Sequence, residues 1–533
     1  MLELYPEHDY TLYGLLESRS AGDGDRPFLL WGRRILSWAG FRKQVDEVSA
    51  QFVDVGVRKG DRVAIAAENG KPYLVAVFAL AKIGAIVVPI NYDLGVEEVA
   101  YIVEHAGVSG VLGSAGQMET LRNACARKAP APWFATMDHD AIEIGVPDRV
   151  PWHAMPASVE TMRTQARADD TWVILYTSGT TGFPKGVMHS QRAFVLVGEA
   201  FVERMHLQPG DRMLCVLPLF HINALFYSLG GALAAGTSLI IVRRFSASRF
   251  WQIAADTRAT QVNIIAAVGH ILARRSRDEF RPDHCLVKVY GAPISAEIRS
   301  TFQERFHIPK LIEGYGLTEA PGVCSLPFLE APRIGSMGRA ARHPTLSEPF
   351  AEMRLVDDTG NDIAVGSTGE LLVRTPAIMQ GYYRDSRQTA ESFYQNWFRT
   401  GDLVNSDADG FYYFRGRKKD IIRRRGENIA AAEVERIIRL NPLVQDVAVI
   451  GTAAELGEED VVAIVLPTRD ARIEEADIAR WCRDRLADYK VPRYVALVAE
   501  LPYTPSHRVA KHRLKLDPSL LSRAVDVGDV GGT

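Results

Sequence analysis

Between Tyr176 and Gly186 the chain gathers residue types that fit one chemical task, holding an anion such as phosphate. The run is Tyr176-Thr177-Ser178-Gly179-Thr180-Thr181-Gly182-Phe183-Pro184-Lys185-Gly186. Glycines let the backbone turn tightly and bring its N–H groups up to an anion. The hydroxyls of Thr177, Ser178, Thr180 and Thr181 add donors, and Lys185 adds a mobile positive charge. The run departs from the P-loop pattern, because its lysine follows a proline and precedes a glycine instead of a Ser or Thr. Upstream, Trp172-Val173-Ile174-Leu175 reads as a short buried strand, and the chain from Val187 onward reads as a helix. The expectation is strand, anion-gripping loop, helix.

The elements that must position this loop belong to a chain of 533 residues, too long for a single core, so two or more domains are expected. With 47% hydrophobic and 24% charged residues the composition is that of an ordinary globular protein, and a net charge of −3 gives no global pull toward nucleic acid or anionic membrane. The N-terminus lacks a basic start and an apolar core, so no signal peptide is expected. The most apolar stretches, Tyr73–Ile90 and Leu229–Val242, carry Lys82 or glycine breaks and read as a buried helix followed by a buried strand, not as membrane spans. Cys125, Cys215, Cys285, Cys324 and Cys482 are scattered without metal-ligand spacing and fit reduced thiols in a cytoplasmic protein.

Strand and helix patterns alternate through the first four hundred or so residues. Gly60–Ala66 reads as turn and strand, Lys71–Ile83 as helix, Gly84 as its stop, and Ala85–Ile90 as strand again; Phe220–Ala235 and Ser238–Val242 repeat the helix–strand pair. This rhythm predicts an α/β fold of stacked, largely parallel sheets covered by helices. After residue 350 short strands with Asp/Gly turns predict antiparallel, β-barrel-like structure closing the large domain, and beyond residue 420 a compact α+β unit follows. The expected division is a large domain over residues 1–417 and a small, mobile domain over 418–533.

The Tyr176–Gly186 run resembles the signature of the adenylate-forming superfamily, which holds acyl-CoA synthetases, luciferases and peptide-synthetase adenylation domains. Gly314-Tyr315-Gly316-Leu317-Thr318-Glu319 resembles a second signature of that family, about 130 residues on. The resemblance assigns adenine stacking to Tyr315, phosphate to Thr318 and Mg²⁺ to Glu319. Gly291-Ala292-Pro293 is similar to the segment that lines the family's adenine site, and Asp402 of Thr400-Gly401-Asp402 takes the place of the aspartate that accepts both ribose hydroxyls, a diol spacing that two carboxylate oxygens match. Arg415–Ile429 carries seven basic residues in fifteen, which by charge alone suits a nucleic-acid patch or a solvated face; Asp420-Ile421-Ile422 inside it argues for burial. By resemblance it is the family's hinge, with Arg417 on ribose or phosphate, Lys419 as pivot, and Arg423 and Gly426 near a pantetheine tunnel. Its basicity suits coenzyme A.

For the acyl group the resemblance points to His221, Ile222 and Asn223, with Val268, Gly269, His270, Gly314 and Ala320 as further pocket candidates. In overall look the chain is similar to carnitine- and crotonobetaine-CoA ligase-like proteins. No acid stands among those candidates to meet a quaternary ammonium, so a small or medium aliphatic acid or an aromatic acid stays open. The chain departs from the family near its end. His507-Arg508 stands where the family has glycine-lysine, whose lysine bridges carboxylate and phosphate; Arg508 is the expected replacement and Lys511 the lesser candidate. The resemblance implies an ATP-dependent acid–CoA ligase using Mg²⁺, acting on a small carboxylic acid, without nucleic-acid or integral-membrane partners, and with a homodimer as an open assembly. An acyl-AMP ligase serving a carrier protein and a nucleotide-binding homologue with impaired catalysis are the alternatives.

Overall fold

The computed structural model describes residues 5–126, 128, 130–137, 142–145, 164–177, 184–346, 349–424, 427–454, 459–469, 471–504 and 509–528, with 143–145, 419, 421, 423, 427–428 and 512 described by backbone alone. By contact the chain forms two compact units, Met1–Met353 with Val373–Phe398, and Arg354–Leu372 with Arg399–Thr533.

Two largely parallel sheets build the first unit, as the alternating pattern predicts. In the larger, strands Lys310–Tyr315, Lys288–Ala292, Gln261–Ile265, Arg212–Cys215, Ser238–Ile241 and Pro27–Trp31 lie side by side and parallel, with short antiparallel strands at both ends. In the other, Thr171–Thr177, Ile86–Pro89, Arg62–Ala66, Gly110–Ser114 and Trp133–Met137 run parallel. Strands buried on both faces read as unbroken apolar runs, and Trp172, Val173, Ile174 and Leu175 are all buried. Helix Lys71–Ile83 ends as read, at Gly84 in a left-handed conformation (φ 81°) that favours glycine. That helix is buried nearly all round, and the charge of Lys82 is compensated: its Nζ lies 2.7 Å from Asp46 Oδ1 and 4.3 Å from the Tyr13 ring centre.

One expectation is corrected. The chain from Val187 is not a helix: Lys185–Ser190 forms a strand running back antiparallel to Thr171–Thr177, with Lys185 opposite Thr177 and Gly186 opposite Tyr176. The alternation of buried Val187 and His189 around half-buried Met188 is a two-residue period, and it outweighs helical propensity. The helix starts later, at Gln191, because Ser190 Oγ accepts the Ala193 N–H and caps it. Likewise the Phe220–Ala235 segment opens as a wide π-helical turn over Asn223–Leu229 before Gly230–Ala235 continues as α-helix.

In the second unit residues 402–406 pair antiparallel with Tyr412–Arg417, and Asp402 stands opposite Arg417. Within the basic run, strand Ile421–Arg424 pairs antiparallel with Glu427–Ala430. Strands Val444–Ala453, Glu459–Pro467 and Tyr494–Leu497 carry helices Ala431–Arg439 and Glu475–Arg483 over a core of Val434, Ile438, Val447, Val449, Val461 and Ile478.

Candidate active site

Four neighbouring parallel strands bring most of the expected residues to one sheet edge. Residues 217–223 follow strand Arg212–Cys215, helix Ala266–Arg274 follows Gln261–Ile265, Pro293 follows Lys288–Ala292, and Gly316–Glu319 follow Lys310–Tyr315. His221, Val268, Gly269, His270, Gly291, Ala292, Pro293, Tyr315, Thr318 and Glu319 therefore lie at the carboxyl ends of adjacent strands, where open α/β sheets bind ligands. Close approach explains two glycines. A Cβ at Gly314 would stand 2.4 Å from the Tyr290 hydroxyl, and one at Gly316 would stand 2.7 Å from the Gly322 nitrogen. The turn after Gly316 is closed by the Leu317 N–H donating to Ala320 O at 3.0 Å, and pinned by the Gly322 N–H on the Tyr227 hydroxyl at 2.8 Å.

The second sheet is tied to this edge by a histidine. His189, fully buried in strand Lys185–Ser190, donates from Nε2 to Thr318 O at 2.6 Å. Burial drives its pKa down to about 4, with the Thr318 carbonyl opposing, so the ring is neutral at ordinary pH and its proton sits on Nε2. Strand Gly381–Tyr382 pairs with the same strand, Tyr382 opposite Val187. From there the Tyr382 hydroxyl donates to Glu319 Oε1 at 2.9 Å, and the Met379 N–H holds Glu319 O at 2.8 Å. The Lys185 ammonium lies 5.2 Å from the Tyr382 ring centre and donates to Gln388 Oε1 at 2.8 Å. A cavity of about 400 Å³ opens beside it, walled also by Tyr101, His105 and Pro184. His105 meets the Tyr176 hydroxyl at 2.7 Å, and Tyr101 donates to Pro184 O at 3.2 Å, so both flanks of the phosphate-type loop are anchored.

Among the acyl candidates, His221 packs against Phe220 with ring centres 4.5 Å apart and starts the next helix, its carbonyl accepting from Leu225 N–H at 3.1 Å. Asn223 lies on the π turn, and His270 Nδ1 stands 3.5 Å from Glu297 Oε2. Sequence alone places no acid among these positions; Glu297, four residues beyond Pro293, supplies one.

In the second unit the expected nucleotide residues meet each other. Asp402, 1% exposed, holds the Arg417 Nε at 2.8 Å. Lys418 bridges Asp358 at 2.8 Å and Glu370 at 3.1 Å, while Arg399 reaches Glu370 at 2.6 Å. Burial pushes the Glu370 pKa up, but Arg399 and Lys418 more than offset this and hold it below the usual range. Arg424 is buried on Asp460 at 3.2 Å. Arg417, Lys418 and Arg424 of the basic run are thus engaged by carboxylates of their own unit, which is not how a nucleic-acid patch is built. Lys511 is engaged too, 2.7 Å from Glu435.

The chain belongs to the AMP-binding enzyme family. Its model matches residues 16–383, and the model of the AMP-binding enzyme C-terminal domain matches 433–508. A sulfoacetate–CoA ligase of Cupriavidus necator is 31% identical over 96% of this chain and 98% of its own length. A crotonobetaine/carnitine–CoA ligase of Salmonella typhimurium is 28% identical over 90% of this chain and 93% of its own. The crystal structure of ATP-bound MatB from Rhodopseudomonas palustris superposes with a TM-score of 0.84 at 25% identity, covering 95% of this chain and 98% of that one.

Within this AMP-binding enzyme several expected positions fall outside the described residues: Ser178, Gly179, Thr180, Thr181, Gly182, Gly426 and Arg508, while Lys419 and Arg423 are described by backbone alone. Among the described residues, His189, Tyr382, Gln388 and Glu297 stand at the site without being among the sequence-based expectations. His189 carries a signal, a polar residue at a buried phase of an alternating strand. Gly381-Tyr382-Tyr383 and Gln388 carry none, since nothing local shows that this stretch returns to the Lys185 strand. No described helix is long and apolar enough to cross a membrane.

Proposed function

We infer that the chain is an ATP-dependent acid–CoA ligase that makes an acyl-AMP and passes the acyl group to coenzyme A. The observation that carries this is the end-to-end match to two ligases whose names both specify CoA. In the first step an oxygen of the substrate carboxylate attacks the α-phosphorus of ATP, and the bond to the bridging oxygen breaks with pyrophosphate as leaving group. In the second the CoA thiol sulfur attacks the acyl carbonyl carbon, AMP leaves, and the thiol proton is released.

Negative charge builds on the phosphates during the first step, so fixed donors and cations are what the site must supply. Lys185 and the Thr177–Gly182 loop donors are assigned to the departing pyrophosphate, Thr318 to the α-phosphate, and Tyr315 with Gly291-Ala292-Pro293 to the adenine. Asp402 is assigned to the ribose, and Arg417 to the ribose or phosphate. The donor at Glu319 fits Mg²⁺, which takes one or two carboxylates plus substrate phosphate oxygens and needs no all-protein cage; such an ion would neutralise phosphate charge. Arg508 supplies the charge between carboxylate and phosphate, since Lys511 already rests on Glu435. Arg423 and Gly426 serve coenzyme A, Lys419 is the hinge of a small domain beginning at residue 418, and the acid lies among His221, Ile222, Asn223, Val268, Gly269, His270 and Ala320. A cytoplasmic location is part of this reading, and a homodimer is the assembly for light scattering to test.

The substrate is a small carboxylic acid. The deciding experiment incubates the protein with MgATP, CoA and a panel including sulfoacetate, crotonobetaine, carnitine, short aliphatic and aromatic acids. Pyrophosphate, AMP and thioester are followed. Thioester with any acid supports the reading; pyrophosphate without thioester diverts it to a carrier-protein acceptor; no pyrophosphate across the panel removes it.

A further inference from the structure

We propose that Gln388 is a positioning residue for adenylation, holding the Lys185 ammonium over the Tyr382 ring so that its remaining N–H donors face the nucleotide phosphates. This rests on the reading of Lys185 as a phosphate ligand. Lysine is a point charge on a long flexible stem, and its charge is worth most when its direction is fixed before the anion arrives. Two contacts fix it here: Gln388 Oε1 at 2.8 Å and the Tyr382 ring centre at 5.2 Å.

Both contacts are themselves held in place. The Gln388 N–H donates to Asp385 Oδ1 at 2.9 Å, and its carbonyl accepts from the Ser392 hydroxyl at 2.7 Å. The Tyr382 N–H donates to Thr389 Oγ1 at 2.9 Å, and its hydroxyl reaches Glu319 Oε1 at 2.9 Å. One short stretch, 381–392, thus fixes the direction of the lysine and of the carboxylate assigned to Mg²⁺. The chemistry of the acceptor matters as well. Asp385 and Glu391 also wall the cavity, but Asp385 caps the helix and Glu391 pairs with Arg387 at 2.8 Å. The atom that meets Lys185 belongs to a neutral amide. An ammonium has three donors and spends one on Gln388, so two are left, and that contact leaves the positive charge uncompensated.

The test compares Gln388→Leu, Gln388→Met, Lys185→Met and the double variant Lys185→Met/Gln388→Leu in the full chain. It measures ATP affinity by calorimetry and pyrophosphate release with the best acid of the panel. The Gln388 variants are expected to weaken ATP binding and raise its KM about 10-fold, with a smaller change in kcat and an unchanged Tm, as loss of one orienting hydrogen bond to a charged group predicts. The double variant should be no worse than Lys185→Met alone, because Gln388 acts only through the lysine. Unchanged ATP affinity in both Gln388 variants, or losses that simply multiply in the double variant, would overturn the proposal while leaving Lys185 as a phosphate ligand. Wild-type ATP affinity and pyrophosphate release in Lys185→Met would overturn both.

Discussion

Lys185 in the first unit and Arg417 in the second are both cations assigned to ATP, yet they keep different company. Lys185 rests on an amide oxygen and an aromatic ring, and Thr318 and Glu319 beside it are held by a neutral histidine and a tyrosine hydroxyl. Arg417 lies in an ion pair with the buried Asp402, and Lys418, Arg399 and Lys511 are likewise each set on a carboxylate. At 3–4 Å an ion pair near a protein surface is worth about 4 kcal/mol in Coulomb terms before desolvation is counted. A cation already paired must loosen that contact, or share it, before it can neutralise a phosphate. A cation on neutral supports has its whole charge available. On the proposed assignments, Lys185 is therefore set to stabilise developing charge, and Arg417 to stay neutralised until it exchanges partners.

The comparison predicts unequal losses. Lys185→Met should lower pyrophosphate release about 10²–10³-fold, the range for deleting one preorganised donor to a developing oxyanion. Arg417→Met should cost far less, about 10-fold, because the wild-type guanidinium is partly offset by Asp402. Equal losses in steady-state pyrophosphate assays would break the contrast.

A second prediction separates charge for structure from charge for chemistry. Lys511→Met leaves the buried Glu435 with the Arg439 guanidinium at 3.9 Å and the Val449 N–H at 2.9 Å but without its shortest ion pair, and should destabilise the second unit by roughly 2 kcal/mol in denaturant unfolding, while pyrophosphate release at a permissive temperature stays close to wild type. Arg508→Ala should do the reverse, abolishing most adenylation with little effect on unfolding. If Lys511→Met instead removes adenylation in a fully folded protein, Lys511 and not Arg508 takes the place of the family lysine.

Much of this arrangement is legible in the sequence, and the reason is local. Apolar runs of strand length between glycine turns, such as Ala85–Ile90, have little choice but to be buried strands. Tyr315, Thr318 and Glu319 come in one hexapeptide, and its resemblance to the family's second signature carries their expected roles. What stays hidden depends on long-range return of the chain. Val187 reads as helical because nothing local shows that Lys185–Ser190 runs back antiparallel to Thr171–Thr177, and Tyr382 and Gln388 matter only because residues 381–382 pair with that strand some 195 positions earlier. Ion pairs such as Lys511–Glu435 are equally hidden, since nothing in the spacing of 435 and 511 says that they meet.

The smallest predicted effect sits within the first unit, where two buried groups beside the site titrate in opposite senses. His189 falls from 6.5 to about 4 through burial, so the folded state prefers it neutral; the stability this gives is present above pH 6.5 and is lost as pH falls toward 4. Glu313, buried on the strand that leads into Gly314, is pushed up from 4.5 to about 7 by burial, outweighing the Ile294 N–H and the Arg299 charge. The folded state prefers it protonated, so its contribution is complete below pH 4.5 and is lost as pH rises through 7. Between pH 4.5 and 6.5 the two slopes oppose and nearly cancel. Hydrogen exchange over the first unit should therefore show a nearly flat stability in wild type across that window. Glu313→Gln should uncover a loss approaching about 1.4 kcal/mol per pH unit on acidification, and His189→Gln a gain of similar slope. The second unit behaves differently at Glu370, which Arg399 and Lys418 hold ionised: its stability persists until the pH drops below the ordinary carboxylate range. A flat profile in either single variant would show that only one of these groups titrates in the window, and would leave the contrast between the units to rest on their ion pairs.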